Sequence, residues 1–310
     1  MALFKIENNE RLESIKEQPF KLEKEIQSLT EKNLKLIFGL EFVKSEFSLN
    51  NFRIDTLAFD KDSRTFVIIE YKRDKNFSVI DQGYAYLSLM LNNKADFILE
   101  YNESLTDTLK RNDIDWSQSR VIFISPSFTN YQKEAINFKD LPIELWEIKR
   151  YNNQTVNYNQ IKTSGAQESV KTISRQDKTI DSVTKEIKVF TESDHLQKAE
   201  YETKELYEKL KDGIINLDDN ISIQPKKQTI GFKTESNIFC DVAILAKSLK
   251  IYVNLKSGDL HDSKNISRDV SNVGHWGNGS YEIKMSDTEN IEYILSLIKQ
   301  SLKKNKNNVG

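Results

Sequence analysis

Arg53-Ile54-Asp55-Thr56-Leu57-Ala58-Phe59, then Asp60-Lys61-Asp62-Ser63-Arg64, then Thr65-Phe66-Val67-Ile68-Ile69-Glu70-Tyr71-Lys72-Arg73 is the stretch on which the fold of this chain turns. Two runs rich in β-branched and aromatic residues flank a polar turn, the pattern of a β-hairpin. With the turn centred between Asp62 and Ser63, Asp55 lies directly opposite Glu70. Cross-strand Cβ atoms sit about 4.5–5.5 Å apart, close enough for two carboxylates to share one cation. Strand alternation puts Lys72 on the face of Glu70, with Arg53 across from it. A like-charge pair in an apolar hairpin is unfavourable unless something compensates it. One reading is a divalent metal, since Mg²⁺ takes one or two carboxylates with waters and phosphate oxygens. The other is a pair of solvent-facing strand ends neutralised by Arg53, Lys72 and Arg73.

Around this hairpin the pattern is that of a mixed α/β layer fold with one central sheet. Residues 21–38 read as one amphipathic helix with Leu22, Ile26, Leu29, Leu36 and Ile37 on its stripe. A strand is expected at 42–47 and a helix at 78–91. Strands are expected at 97–99, 121–124 and 143–148, with a helix at 127–138. Residues 151–192 turn polar, with apolar side chains only singly, and read as a linker. Order returns as a second, small α/β domain over 193–310. Its helices are expected at 199–210 and 288–302, its strands at 221–223, 229–232, 239–245, 249–255 and 281–285. The nuclease-like part is thus placed at 1–150.

The chain has 310 residues, 38% hydrophobic and 30% charged, which suits two folded domains and argues against wholesale disorder. The single cysteine, Cys240, excludes an internal disulfide and reads as a small buried hydrophobe. No stretch is long and apolar enough to span a bilayer, and the first residues lack a signal-peptide pattern, so a cytoplasmic protein is expected. A net charge of −2 provides no global field for DNA, leaving any contact to local basic clusters.

Ile54-Asp55 followed after a turn by Glu70-Tyr71-Lys72 resembles the PD-(D/E)XK nuclease superfamily. Ser45-Glu46-Phe47, Arg53 to Ala58, Ile69 to Arg73 and Asp81-Gln82-Gly83-Tyr84-Ala85-Tyr86-Leu87 look most like the nuclease domain of archaeal and actinobacterial mismatch-type endonucleases. The resemblance covers roughly residues 20–150. It implies a restriction-endonuclease-like mixed sheet flanked by helices, with Asp55 and Glu70 as metal ligands and Lys72 as the catalytic lysine. Gln82 would help position the site, with Tyr86 one turn later on the same face. Glu46 matches a further acidic position and is a third expected metal ligand. Glu25 is the expected acidic residue of the first helix, with Glu23 and Glu31 as near neighbours. Ile54 stands where the motif's nominal name has a proline. The cofactor implied is Mg²⁺ or Mn²⁺, and a homodimer is expected because a double-strand cut takes two such sites.

In the C-terminal part, Ser257 to Asp262 and Arg268 to Gly279 concentrate unusual residues and resemble an uncharacterised domain that recurs at the C-terminus of bacterial nuclease-like proteins. Arg268, His275 and Trp276 are candidates for a phosphate contact and a base stack; Arg53 and Arg73 are the candidates in the first half. His261 and His275 with Asp262 or Asp269 could instead hold a metal, and a glycine-rich loop pinned by a half-buried Trp is the plainest reading. Lys226-Lys227 and Lys303-Lys304 read as solvated charge, and His195 as an exposed helix-entry residue. The function expected is a metal-dependent DNA endonuclease of repair or defence. The alternative is a nucleic-acid binding or sensing protein that keeps the nuclease fold without turnover.

Overall fold

The hairpin of 52–71 lies inside a seven-stranded mixed sheet. The computed structural model describes residues 3–73, 78–138, 140–162, 168–170, 177–234 and 237–307. The chain divides into two compact units, Met1–Val189 and Phe190–Gly310.

The first unit opens with β1 (Leu3–Glu7), β2 (Arg11–Ile15), β3 (Glu17–Gln18), α1 (Glu23–Glu31) and α2 (Leu34–Phe38). It continues through β4 (Glu41–Leu49), β5 (Phe52–Asp60), β6 (Thr65–Tyr71), α3 (Val79–Asn92) and α4 (Lys94–Ser104). It closes with β7 (Arg120–Ser125), α5 (Asn130–Ala135), β8 (Ile143–Tyr151), β9 (Val156–Gln160) and α6 (Lys178–Glu186). The sheet order is β3-β8-β7-β6-β5-β4, with β9 also on β8. Pairs β6–β7 and β7–β8 are parallel and the others antiparallel. All seven residues of β6 are buried, as a strand covered on both faces requires. Phe66 and Ile68 face the core built with α3 and α4; Val67, Ile69 and Tyr71 face Ile26, Leu34 and Phe38 of α1 and α2. This unit is a restriction-endonuclease-like mixed α/β sheet flanked by helices.

Three expectations are corrected here. The helix of 21–38 is two helices, the second ending on Gly39 in the left-handed region (φ 73°). Of the expected stripe, Ile26 is fully buried and Leu29 and Ile37 pack on the same core, whereas Leu22 and Leu36 are exposed. Phe97-Ile98-Leu99 is helical, not a strand: Phe97 and Tyr101 sit one turn apart and pack on Phe47, Phe59 and Phe66, leaving Leu99 exposed. The polar stretch 151–192 is no simple linker. Within it β9 pairs with β8, and α6 buries Ile180 and Val183 in the same core as α3. Residues 163–167 and 171–176 lie outside the described residues.

The second unit contains α7 (Glu192–Leu196), α8 (Tyr201–Ile215), β10 (Ile221–Pro225), β11 (Ile230–Thr234) and β12 (Asn237–Ile244). It continues with β13 (Leu249–Val253), β14 (Ser267–Asp269), β15 (Tyr281–Met285) and α9 (Ile291–Asn307). Its six strands form an antiparallel sheet in the order β10-β11-β12-β13-β15-β14. Leu206, Tyr207 and Leu210 of α8 and Ile294, Leu297 and Ile298 of α9 bury its apolar face, together with Cys240. Lys226 is not solvated charge. Its Nζ lies 2.8 Å from Oδ1 of the fully buried Asp241, which also accepts from Thr229 Oγ1 and the Asn278 amide.

Candidate active site

The expected register of the hairpin holds from Asp60↔Thr65 to Thr56↔Ile69, then stops one residue short of Asp55. Beyond that point β6 continues as the parallel partner of β7, through Glu70↔Phe123 and Tyr71↔Ile124. The two strands therefore fork. In the fork the Tyr71 N–H, which has lost its β5 rung, donates to Asp55 Oδ2 at 3.0 Å. A backbone donor left unpaired in a buried place is costly, and the carboxylate supplies the missing acceptor. Local failure of the ladder is what holds Asp55 beside the end of β6.

Glu70 is 3% exposed. Its Oε1 accepts from Lys72 Nζ at 2.7 Å and from Gln82 Nε2 at 3.3 Å. Gln82 also donates to the Tyr86 hydroxyl at 3.3 Å, and that hydroxyl donates to the Arg53 carbonyl at 3.4 Å. Helix α3 reaches the site because its N-cap, Ser78, accepts from the Asp81 amide and Gly83 lets the helix press on the sheet. A Cβ at Gly83 would stand 2.4 Å from Ile143 Cδ1. The structure thus brings Asp55, Glu70, Lys72, Gln82 and Tyr86 together.

Glu46 and Glu25 depart from the expectation. Glu46 carries an uncommon left-handed backbone (φ 55°) and forms ion pairs with Lys24 (3.0 Å) and Arg53 (2.8 Å). Its pKa is lowered, chiefly by the hydrogen bond from Lys24. Among the described residues no three His, Cys, Asp or Glu side chains group to hold a metal ion, so Glu46 does not complete a three-carboxylate set with Asp55 and Glu70. Nor is the alternative of His261 and His275 with Asp262 or Asp269 gathered as such a group. Glu25 pairs with Arg150 at 3.2 Å, whose guanidinium covers the Phe20 ring. The α1 residues turned toward the fork are Glu23, which accepts from the Arg73 amide at 2.7 Å, and Gln27, which donates to the Asp55 carbonyl at 2.9 Å. Their shared signal in the sequence is the four-residue spacing of Glu23, Gln27 and Glu31, which puts them on one helix face.

Of the basic candidates, Arg53 is exposed and held by Glu46, and the Arg73 side chain bonds the Lys21 carbonyl. In the second unit Arg268 lies 3.5 Å from Glu282 and is exposed. His275 stacks on the Tyr252 ring (centroids 5.7 Å, 25°) and bonds the Val273 carbonyl through Nδ1 at 2.8 Å. That ring pins its own loop, and Trp276 stands 53% exposed beside it in sequence. His195 is part-buried rather than free, bonding the Lys226 carbonyl at 2.7 Å through Nε2.

Both carboxylates of the fork are desolvated. Burial raises the pKa of Asp55, against the Tyr71 amide and the charge of Lys72. Burial also raises the pKa of Glu70, and the neighbouring charge of Asp55 adds to it. Glu70 Oε2 is buried with no hydrogen-bond partner. Two desolvated carboxylates and an orphaned buried oxygen fit Mg²⁺ or Mn²⁺, which needs few protein ligands when waters and phosphate oxygens supply the rest.

Comparison with known proteins places the chain among relatives. It is 54% identical over 293 residues to an uncharacterised protein of Haemophilus influenzae (strain ATCC 51907 / DSM 11121 / KW20 / Rd), covering 94% of this chain and 97% of that protein. Residues 192–305 match a domain of unknown function, DUF5655. Among solved structures, a repair endonuclease from Pyrococcus abyssi matches 43% of this chain and 49% of its own at 20% identity, with a TM-score of 0.25. The EndoMS–dsDNA2 complex matches 47% of this chain and 65% of its own at 17% identity, with a TM-score of 0.27. The chain thus spans about half to two thirds of the solved chains it matches. The chain belongs to the family of the Haemophilus influenzae protein, and its C-terminal part is similar to DUF5655.

Proposed function

We propose that the first unit is a metal-dependent endonuclease that hydrolyses phosphodiester bonds in DNA, with its centre at Asp55, Glu70 and Lys72. The observation that carries this reading is the fork: a buried Glu70 and a half-buried Asp55 whose pKa values are raised, one oxygen without a partner, and a lysine 2.7 Å from Glu70. Desolvating two neighbouring carboxylates is unfavourable for folding, and such expense is characteristic of functional sites. Asp55 and Glu70 would hold Mg²⁺ or Mn²⁺, which when bound lowers the pKa of a water and offsets charge on the scissile phosphate.

Lys72 places a fixed positive charge at the same mouth, suited to a phosphate oxygen and to the charge that grows on it. Gln82 holds the Glu70 carboxylate and Tyr86 the Arg53 carbonyl two residues before Asp55, a role suited to keeping the two carboxylates in place. Lys24 and Arg53, tethered to Glu46 at the rim, offer the strand a basic contact despite the net charge of −2. Trp276 and Arg268 in the second unit offer a stacking face and a cation of the kind that accepts single-stranded nucleic acid. The test is cleavage of supercoiled, mismatched and single-stranded DNA with Mg²⁺ and with Mn²⁺. The expected result is divalent-dependent cutting that chelator abolishes and Asp55→Ala removes; cutting that survives Asp55→Ala refutes the assignment.

A further inference from the structure

The irregularity at Asp55 has a second side, toward β4. The β4–β5 ladder pairs Ser45 with Thr56 and Phe47 with Ile54, and the intervening pair, Glu46 with Asp55, is missing from it. Glu46 is the left-handed residue of β4, and its backbone is turned out of strand geometry there. The Asp55 carbonyl receives instead a side chain from a helix, the Gln27 amide, at 2.9 Å. Gln27 is 4% exposed, and its two amide hydrogens are directed among the Asp55 carbonyl, Glu31 Oε1 (2.9 Å) and Ser45 Oγ (3.2 Å).

Following the partners closes a ring. Glu31 Oε1 also accepts from Thr56 Oγ1 at 2.7 Å, and Thr56 Oγ1 shares a hydrogen bond with the Tyr71 hydroxyl at 3.2 Å. The Tyr71 amide returns to Asp55 Oδ2. Asp55 is therefore held at its carbonyl by Gln27 and at its carboxylate by Tyr71, with Glu31 and Thr56 joining the two grips. Thr56 and Tyr71 are buried, and a satisfied polar network in such a place rigidifies what it contains.

We infer that Gln27 is a positioning residue for the metal-binding carboxylate of Asp55, fixing it through the main chain from helix α1. The inference rests on the nuclease reading above, and Gln27 itself touches neither metal nor substrate. Groups that orient a ligand from behind typically change metal affinity about 10- to 100-fold when lost. A fault in Asp55 placement is thus read first in metal affinity, and turnover recovers once metal saturates the site.

The experiment compares the full-length wild type, Asp55→Ala and Gln27→Met, which keeps chain length and removes both donors. Mn²⁺ binding is measured by electron paramagnetic resonance without DNA, and cleavage is titrated with Mg²⁺. The expected result is a Mn²⁺ Kd raised about tenfold or more in Gln27→Met and a parallel rise in half-saturating Mg²⁺. Cleavage at saturating metal stays within about threefold of wild type. Should Gln27→Met fail to fold, Thr56→Val opens the same ring and is expected to shift Mn²⁺ affinity in the same direction. Wild-type Mn²⁺ affinity in a folded Gln27→Met, beside a wild type whose binding needs Asp55, overturns this inference alone. A wild type that neither binds Mn²⁺ nor cuts overturns the nuclease reading and this inference with it.

Discussion

Asp55 Oδ2 takes the Tyr71 N–H at 3.0 Å, so a site carboxylate serves as a rung of the sheet where β5 and β6 part. The proposed function gives the same side chain a chemical role, and the two roles can be separated. Asp55→Asn keeps an oxygen for the Tyr71 amide and removes the buried charge. Cleavage is expected to fall by at least about 10²–10³-fold, the loss typical for a group that stabilises developing charge. Thermal stability of the metal-free protein at pH 7 is expected to rise, because the burial that raises the Asp55 pKa penalises its ionised form. A melting curve in chelator beside the cleavage assay checks both directions.

Proton competition follows from the same shifts. Asp55 and Glu70 have folded-state pKa values raised above their ordinary ones of 3.8 and 4.5. For a carboxyl raised in the folded state, the destabilisation is absent below the unfolded pKa. It grows as pH rises through the window up to the folded pKa, and is constant above it. Metal needs the ionised forms, so the acid limb of Mn²⁺ binding is expected at a pH above 4.5. An acid limb at or below the ordinary carboxylate range would show that the pair is solvated.

The acidic residue of α1 is open to a direct contrast. Glu25 is bonded to Arg150, whereas Glu23 accepts from the Arg73 amide and its charge acts on Asp55. Glu25→Ala is expected to leave kcat/KM within about twofold, and Glu23→Ala to lower it about tenfold. Equal effects in steady-state kinetics would mean that neither face of the helix addresses the site.

In the second unit the prediction concerns stability. Asp241→Ala leaves Lys226 buried without its partner, and breaking such a pair costs about 3–5 kcal/mol. Replacing both residues by apolar ones in Lys226→Met/Asp241→Leu is expected to cost less than Asp241→Ala, since no charge is stranded. Urea unfolding of the full chain measures the two.

The hairpin was legible because it is local: alternation and a short polar turn fix its register, and the alignment of Asp55 with Glu70 follows from residues 53–73 alone. Its fork was not, because strand divergence depends on the parallel pairing of β6 with β7, some 50 residues away. The apolar run Phe97-Ile98-Leu99 is too short to carry a periodicity, and its helix is decided by Phe47 and Phe66. Glu23, Glu25 and Glu31 could not be told apart in the sequence because what separates them is a partner far along the chain: Arg150 for Glu25 and the Arg73 amide for Glu23. Lys226, in the turn after β10, reads as surface charge because its partner, Asp241, lies on the distant strand β12.

The central claim is tested most directly by Lys72→Ala, assayed beside wild type for cleavage and for binding of the same DNA in Mg²⁺ and Mn²⁺. The account predicts metal-dependent cutting by wild type and a loss of about 10²–10³-fold in the variant, with DNA binding largely retained. Undiminished cutting by Lys72→Ala, or a wild type that binds DNA and cuts none of its forms with either metal, would contradict it.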